Sequence, residues 1–478
     1  MIKKITIFAL LLSFSSFSQE LVGSIPLELK KGTDVFQIVN ETTKQTTFFL
    51  SDNKKVKAIR LNEKMQVVDT MSVPRPNSKY SKMIGTCGDK SNPMLFWASS
   101  NDKEILTQKF KFLEHKTSEQ KYDLTFIGEK VVEEFSLNGN FYIISVIKNT
   151  NSLKFYVFNE TEKTEKTIDL NGFNFLDSDI KRTTFYNVLL ENFYGKQESG
   201  SIEKITSDSP ISLALSYKKR KVYLENNKLT FTFDNNSLYT QLIMVDLKTF
   251  IVKEKMIKKP DLMKDPSAEV NELESNSFLH QDKLFQIKSS PNLIKFSIKD
   301  LDDKILYENT IHKEKPIDFS NSEVFLENGS SKNKKTIENS KFIRKVNNQS
   351  PAISCYKQDD TILVTIGSVS QVQQQMSNKM MVGAMFGVAG VLLASALSSP
   401  TMENFNAYAN REVTYVNCLF NQTGEHITGS VKPLAFEKIR IYLENNPTVS
   451  SQTIFKLEND YYLGSFLKNE YSFRKFVN

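Results

Sequence analysis

The chain has 478 residues, with 62 lysine and arginine against 55 aspartate and glutamate, for a formal charge of +7. Hydrophobic residues make up 40% and charged residues 24%, which excludes collagen-like, wholly disordered and wholly membrane-embedded classes. A chain this long buries an ample core without disulfides or a metal, and its aromatics are skewed to 35 Phe and 17 Tyr against 1 Trp.

Residues 1–18 read as an address. Met1-Ile2-Lys3-Lys4 is basic, Ile5 to Leu12 is apolar apart from Thr6, and Ser16-Phe17-Ser18 puts small residues before a cut at Gln19. That order is a secretory signal peptide, and its apolar run is too short for a spanning helix. Residues 19–478 are then expected in the cell envelope, periplasmic or outer-membrane-associated.

From there one pattern recurs along the chain: an apolar strand, an Asn/Asp/Gly/Lys turn, then a second apolar strand. Phe48-Phe49-Leu50 precedes Asn53 and Val56 to Ile59, and Leu95-Phe96-Trp97 precedes Asn101-Asp102 and Ile105-Leu106. Phe135 to Leu137 leads through Asn138-Gly139-Asn140 to Phe141 to Ile144. Val222 to Leu224 leads through Asn226-Asn227-Lys228 to Leu229 to Phe231, and Phe278-Leu279 through Asp282-Lys283 to Leu284 to Ile287. The last copy is Ile454 to Leu457, Asn459-Asp460, then Tyr461 to Leu463. Asn and Gly accept the positive φ of tight hairpin turns, which gives the pattern a mechanism. Third strands are expected at Leu153 to Phe158, Leu242 to Val245 and Ile294 to Lys299, with a fourth at Ile251 to Met256.

Asn53 to Gly139 and Gly139 to Asn227 each read as two units of roughly 43–44 residues, near the ~40–45-residue propeller blade. Asn227 to Asp282 falls off that period. The expected fold is all-β, a β-propeller of about 6–8 blades, with tandem β-sandwiches as the alternative. No WD dipeptide, Kelch glycine pair or sialidase-type Asp box is present. One short amphipathic helix is expected over Pro433 to Asn446, with Phe436, Ile439 and Leu443 on one side. Lys253 to Lys264 reads as a lysine-rich connector and Asn321 to Asn348 as an exposed loop region. The basic run Lys332 to Lys335 reads as solvated surface rather than a nucleic-acid patch, because no aromatic interleaves it.

Residues 368–403 break the pattern as an apolar, Gly/Ala/Met-rich insertion expected to be helical. No charge lies between Lys379 and Glu403. Met380, Met381, Val382, Met385, Phe386, Val388, Val391, Leu392, Leu393 and Leu397 offer contact surface for a partner or a membrane. Gly383, Gly387, Gly390 and Ala394 are small-residue notches that allow close packing. Four readings stand: a transmembrane helix, a buried core element, an exposed loop, or an arm that docks into a partner, pore or membrane surface. The arm is preferred, since a transmembrane helix would separate the final hairpin from those it matches. Cys355 and Cys418 flank the insertion, and a disulfide between them would staple its base; buried free cysteine is the other reading.

Catalytic signals are absent. His115, His280, His312 and His426 are unpaired by spacing and read as surface residues, and no zinc-type Cys/His cluster occurs. No GxSxG, P-loop or GxGxxG motif is present. Neither a catalytic residue, a metal site nor a cofactor is expected, and no nucleic-acid partner. A propeller glycan hydrolase or lyase, with carboxylates gathered from distant blades and the insertion as packing, is the alternative.

The leader, with its Ile/Lys start, Phe/Ser-rich end and following Gln, resembles those of exported Bacteroidota envelope proteins. Leader, repeated hairpins and insertion together resemble accessory subunits of outer-membrane transport machines. That resemblance implies a plug or gate on a translocon such as the type 9 secretion system, with the insertion seated in an envelope protein or outer-membrane pore.

Overall fold

A computed structural model describes residues 19–29, 34–88, 91–190, 202–206, 209–262, 273–370, 400–408 and 411–478. The expected signal peptide lies outside them, as does the core of the insertion. The described residues divide into two compact units: residues 19–124 with 400–403 and 432–478, and residues 125–370 with 404–431.

Among the described residues the first unit holds three four-stranded antiparallel sheets. Strand β1 (Glu20–Pro26) belongs to the last of them. Sheet one is β2 (Asp34–Asn40), β3 (Gln45–Ser51), β4 (Lys55–Leu61) and β5 (Val67–Pro74). Sheet two is β6 (Lys82–Cys87), β7 (Met94–Ala98), β8 (Glu104–Lys111) and β9 (Lys116–Asp123).

The second unit opens with sheet three, β10 (Glu129–Leu137), β11 (Asn140–Ile147), β12 (Ser152–Phe158) and β13 (Lys163–Asp169). A small hairpin of β14 (Phe175–Leu176) and β15 (Arg182–Thr183) and helix α1 (Phe185–Leu190) follow. Sheet four begins with β16 (Glu203–Thr206), which runs parallel to β17 (Arg220–Glu225); helix α2 (Leu213–Ser216) lies between them in sequence. It continues with β18 (Lys228–Phe233), β19 (Tyr239–Asp246) and β20 (Val252–Lys258). Sheet five is β21 (Glu274–His280), β22 (Lys283–Ser289), β23 (Leu293–Asp300) and β24 (Ile305–His312).

Sheet six has the order β26 (Lys335–Thr336), β25 (Phe325–Asn328), β29 (Glu412–Phe420), β28 (Thr361–Val369), β27 (Ser350–Gln358). Helix α3 (Asn339–Asn348) precedes β27, and α4 (Pro400–Asn406) precedes β29. The chain then re-enters the first unit through α5 (Ala435–Asn445) and sheet seven, where β30 (Ser450–Leu457), β31 (Asp460–Leu467) and β32 (Glu470–Phe476) are completed by β1. The fold class is therefore all-β and propeller-type, with seven sheets of four or five strands among the described residues.

The strand patterns follow from where each strand sits. Middle strands such as β7 and β11 are buried along almost their whole length. Last strands such as β9 (KTSEQKYD) and β13 (KTEKTID) are mostly exposed and carry lysine, which protects a sheet edge from pairing with another chain. The phenylalanines stitch sheet to sheet. Phe48 meets Phe455 and Phe473 at ring-centre distances of 5.3 and 4.9 Å in one core of the first unit, and Phe49 meets Phe110 at 5.0 Å in another. In the second unit Phe296 packs on Phe420 at 5.6 Å. Such ring pairs contribute about 0.5–1.5 kcal/mol each beyond area burial, and Trp97 is fully buried among them.

The expected hairpins form, and Asn138-Gly139 (φ 49° and 77°) and Asn226-Asn227 (φ 47° and 62°) supply the left-handed turns. The expected period does not hold. The turns at Gly139 and Asn227 belong to consecutive sheets, because β14, β15, α1, β16 and α2 fill the interval. The turns at Asp282 and Asp460 are two sheets apart. Asn53 joins the second and third strands of its sheet, while Gly139 joins the first and second.

The expected C-terminal helix is α5, with Ile439 and Leu443 buried and Phe436 packed on Tyr461 at 5.2 Å. Glu437 accepts a hydrogen bond from the backbone N–H of Leu434 at 3.0 Å and holds its first turn. Two expected loops are ordered elements. The lysine-rich connector begins as β20, paired with β19. The loop over Asn321 to Asn348 contains β25, β26 and α3, whose Phe342, Ile343 and Val346 are buried; their spacing of one, three and four is a helical face.

Candidate functional site at the root of the uncharged segment

Every partner-contacting residue expected from sequence, from Met380 to Leu397, lies outside the described residues, as do Gly383, Gly387, Gly390 and Ala394. The chain on either side of them is described. Strands β28 and β29 pair from Ile362↔Phe420 to Val369↔Val413. Beyond the last pair, Ser370 donates its N–H to the Glu412 carbonyl and the Glu412 N–H donates to Ser370 Oγ, both at 2.9 Å. The hairpin is thus closed beneath the insertion. Gly367 keeps the strands close: a Cβ there would sit 1.9 Å from the Thr414 carbonyl oxygen.

Side chains reinforce that closure. The Glu412 carboxylate pairs with Lys345 of α3 and accepts from Gln349 Nε2 at 2.9 Å. Gln349 Oε1 in turn accepts from Ser368 Oγ at 2.9 Å. Partial burial works against the Glu412 charge, but Lys345 and Gln349 outweigh it and hold the carboxyl below its usual range. On the returning side Asn404 of α4 is buried and accepts from the Ser212 N–H at 2.7 Å, while its amide donates to Ser209 Oγ at 3.2 Å and to the Pro210 carbonyl.

Of the two readings of Cys355 and Cys418, the buried free cysteines are what the structure has, and the possible disulfide does not form. Cys355 on β27 faces Val364 on β28, and Val364 faces Cys418 on β29. A whole strand separates the two, so their Cα atoms stand roughly 10 Å apart at the ~4.8 Å strand spacing, beyond the ~7 Å limit for a bridge. Both are free and buried, and burial pushes both thiols up.

The outer edge of sheet six carries a group that sequence spacing does not reveal. Phe325 and Tyr415 are register partners with rings 5.6 Å apart. Lys334 Nζ sits 3.8 Å from the Phe325 ring centre and 5.4 Å from that of Tyr415. Tyr217, packed on the same small core as Tyr408 and Tyr415, has Lys218 at 5.0 Å and Arg411 at 5.2 Å. Lys334 of the basic run therefore does have aromatic partners, Phe325 from the adjoining β25 and Tyr415 brought by the pairing of β25 with β29.

A second polar group lies between sheets four and five. Asp234 accepts from Thr240 Oγ1 at 2.7 Å and from the Ser277 N–H and Oγ at 2.9 and 2.7 Å. Lys259 Nζ stands 3.2 Å from one carboxylate oxygen and Lys221 Nζ 3.6 Å from the other, and all three side chains are sealed from solvent. Burial opposes the Asp234 charge, yet the two lysines and the hydroxyls hold its carboxyl well below the usual range. The same burial pushes the Lys259 ammonium down.

Two histidines are not the surface residues expected. Nε2 of His280 is buried with no hydrogen-bond partner, and desolvation, aided by Lys283 and Lys357, takes its pKa down to about 4. His426 bonds Asn321 Oδ1 at 3.0 Å and packs on Phe420. Among the described residues no group of three or more His, Cys, Asp or Glu could hold a metal ion, and no helix is long and apolar enough to cross a membrane.

No family model and no curated protein matches the chain. A prolyl endopeptidase structure is similar over 70% of this chain, at 8% identity and a TM-score of 0.30; the chain spans 40% of that protein's length. The WD40 domain of SCAP from fission yeast is similar over 96% of this chain and 97% of its own, at 10% identity and a TM-score of 0.29. Cobalt-substituted Synechocystis ACO is similar over 58% and 61%, at 7% identity and a TM-score of 0.28. These likenesses carry no argument about activity, ligand or partner.

Proposed function

We propose that the protein is a non-catalytic interaction protein of the cell envelope whose uncharged segment, residues 380–397, docks into an envelope partner. The form that fits the leader and the segment best is an accessory or plug subunit of an outer-membrane transport complex. The observation that carries the reading is the closed hairpin below the segment. Sheet six completes its β28–β29 ladder and clasps Ser370 to Glu412 without using any residue of 380–397. An apolar, charge-free stretch that its own sheet does not need for closure is suited to a second surface, and Met side chains adapt to one.

The test replaces residues 371–399 by a short Gly-Ser linker. The variant should unfold cooperatively within a few degrees of the parent and lose the partner that the parent co-purifies from solubilised outer membranes. A photo-crosslinker at Met385 or Leu392 should capture that same partner. Loss of cooperative unfolding places the segment in the core and overturns the reading. So does a linker variant that keeps the partner.

A further inference from the structure

We infer that the outer edge of sheet six, where Lys334 lies over Phe325 and Tyr415 between Lys332 and Lys335 and Arg411 lies over Tyr217, is a docking surface for an anionic phospholipid membrane. This goes beyond the docking of residues 380–397 and rests on described residues alone. Lys332, Lys334 and Lys335 are exposed, and Arg411 and Lys218 are half-buried beside them. The acidic groups nearby are Glu327, which is buried, Glu412, which is paired with Lys345, and the exposed Glu323 and Glu338, against five lysines and arginines. The edge is therefore cationic by excess.

The rings decide among anionic partners. A nucleic acid base or a sugar needs an open aromatic face to stack on. Here the faces of Phe325 and Tyr217 are taken by the chain's own cations, at 3.8 Å for Lys334 and at 5.0 and 5.2 Å for Lys218 and Arg411. A lipid headgroup layer asks for something else: half-buried amphipathic rings at the interface and cations reaching the phosphates. The charged heads of Lys334, Lys218 and Arg411 rest against the rings, which holds them at the rim rather than leaving them to wander.

The test is flotation of the full chain with vesicles of phosphatidylcholine alone, or of phosphatidylcholine and phosphatidylglycerol in equal amounts. Binding should be confined to the anionic vesicles and fall as salt rises. Each surface cation contributes about fivefold in partition, so the triple variant Lys332→Gln, Lys334→Gln, Lys335→Gln should bind roughly a hundredfold more weakly. The corresponding triple Lys→Arg variant should retain binding. The Gly-Ser linker variant lacking 371–399 should also retain it, which separates this surface from the docking segment. Equal binding to neutral vesicles overturns the inference. So does an unaffected triple Gln variant, or a duplex DNA bound as tightly as the anionic vesicles.

Discussion

At Asp234 two lysines are sealed from water on one carboxylate, whereas at the edge of sheet six lysines and an arginine stand at the surface over aromatic rings. The residue types overlap; the solvent does not. A sealed cation without its anion is costly, and the Asp234 group ties β17, β18, β19 and β21 together. A cation at the rim keeps its hydration and loses little if its neighbour changes, so it remains available to something outside the chain. Burial, rather than the count of charges, sorts the two groups.

The strongest way to break that contrast is Asp234→Asn. It leaves Lys221 and Lys259 buried without a counter-charge, and such a change costs about 3–5 kcal/mol. Urea unfolding should show it as a large drop in midpoint. A loss below about 1 kcal/mol would mean that water reaches the group, and the two regions would not differ in burial. Replacing Lys221, Lys259 and Asp234 together by apolar residues of similar volume should cost less than the single change.

Two further variants act through packing and protonation. Gly367→Ala drives a methyl into the Thr414 carbonyl, and overpacking against backbone should cost about 3 kcal/mol. His280 tests pH. Its folded pKa of about 4 lies below the ordinary 6.5, so between those values the unfolded chain binds the extra proton. Stability should then rise as pH goes from about 4 to 6.5 and fall as pH drops through the same window, by about 3 kcal/mol at most. In His280→Leu that slope should flatten; an unchanged slope would assign it to other groups.

Much of the fold is legible in the sequence, for a physical reason. Asn-Gly and Asn-Asn turns flanked by apolar runs report local backbone preferences, and local preference is what a single sequence records. The blade period is not legible, because β14, β15, α1, β16 and α2 lengthen the interval between two consecutive sheets. Helix α3 is not legible because its few apolar residues, Phe342, Ile343 and Val346, are set among Lys and Asn. The Cys355–Cys418 bridge looked plausible from flanking position alone, and only the pairing of both strands with β28 shows the gap between them. The rings beneath Lys334 were hidden for the same cause: Tyr415 is far away in sequence, and only the β25–β29 pairing brings it there.

Smaller effects sharpen the comparison from its exposed side. Glu412→Gln removes the partner of Lys345 at a site about a fifth exposed, and with solvent screening should cost about 1 kcal/mol. Lys334→Ala comes last. Its ammonium rests on Phe325 at 3.8 Å, but the lysine is exposed, and a surface cation over a ring contributes little to folding. Its melting temperature should stay within about 1–2 °C of the parent, while flotation with anionic vesicles weakens about fivefold. That separation of binding from stability is what a rim cation should give and a sealed one cannot. A Lys334→Ala variant that melts many degrees lower would make the sheet-six edge a second structural lock, and the two regions would no longer differ in kind.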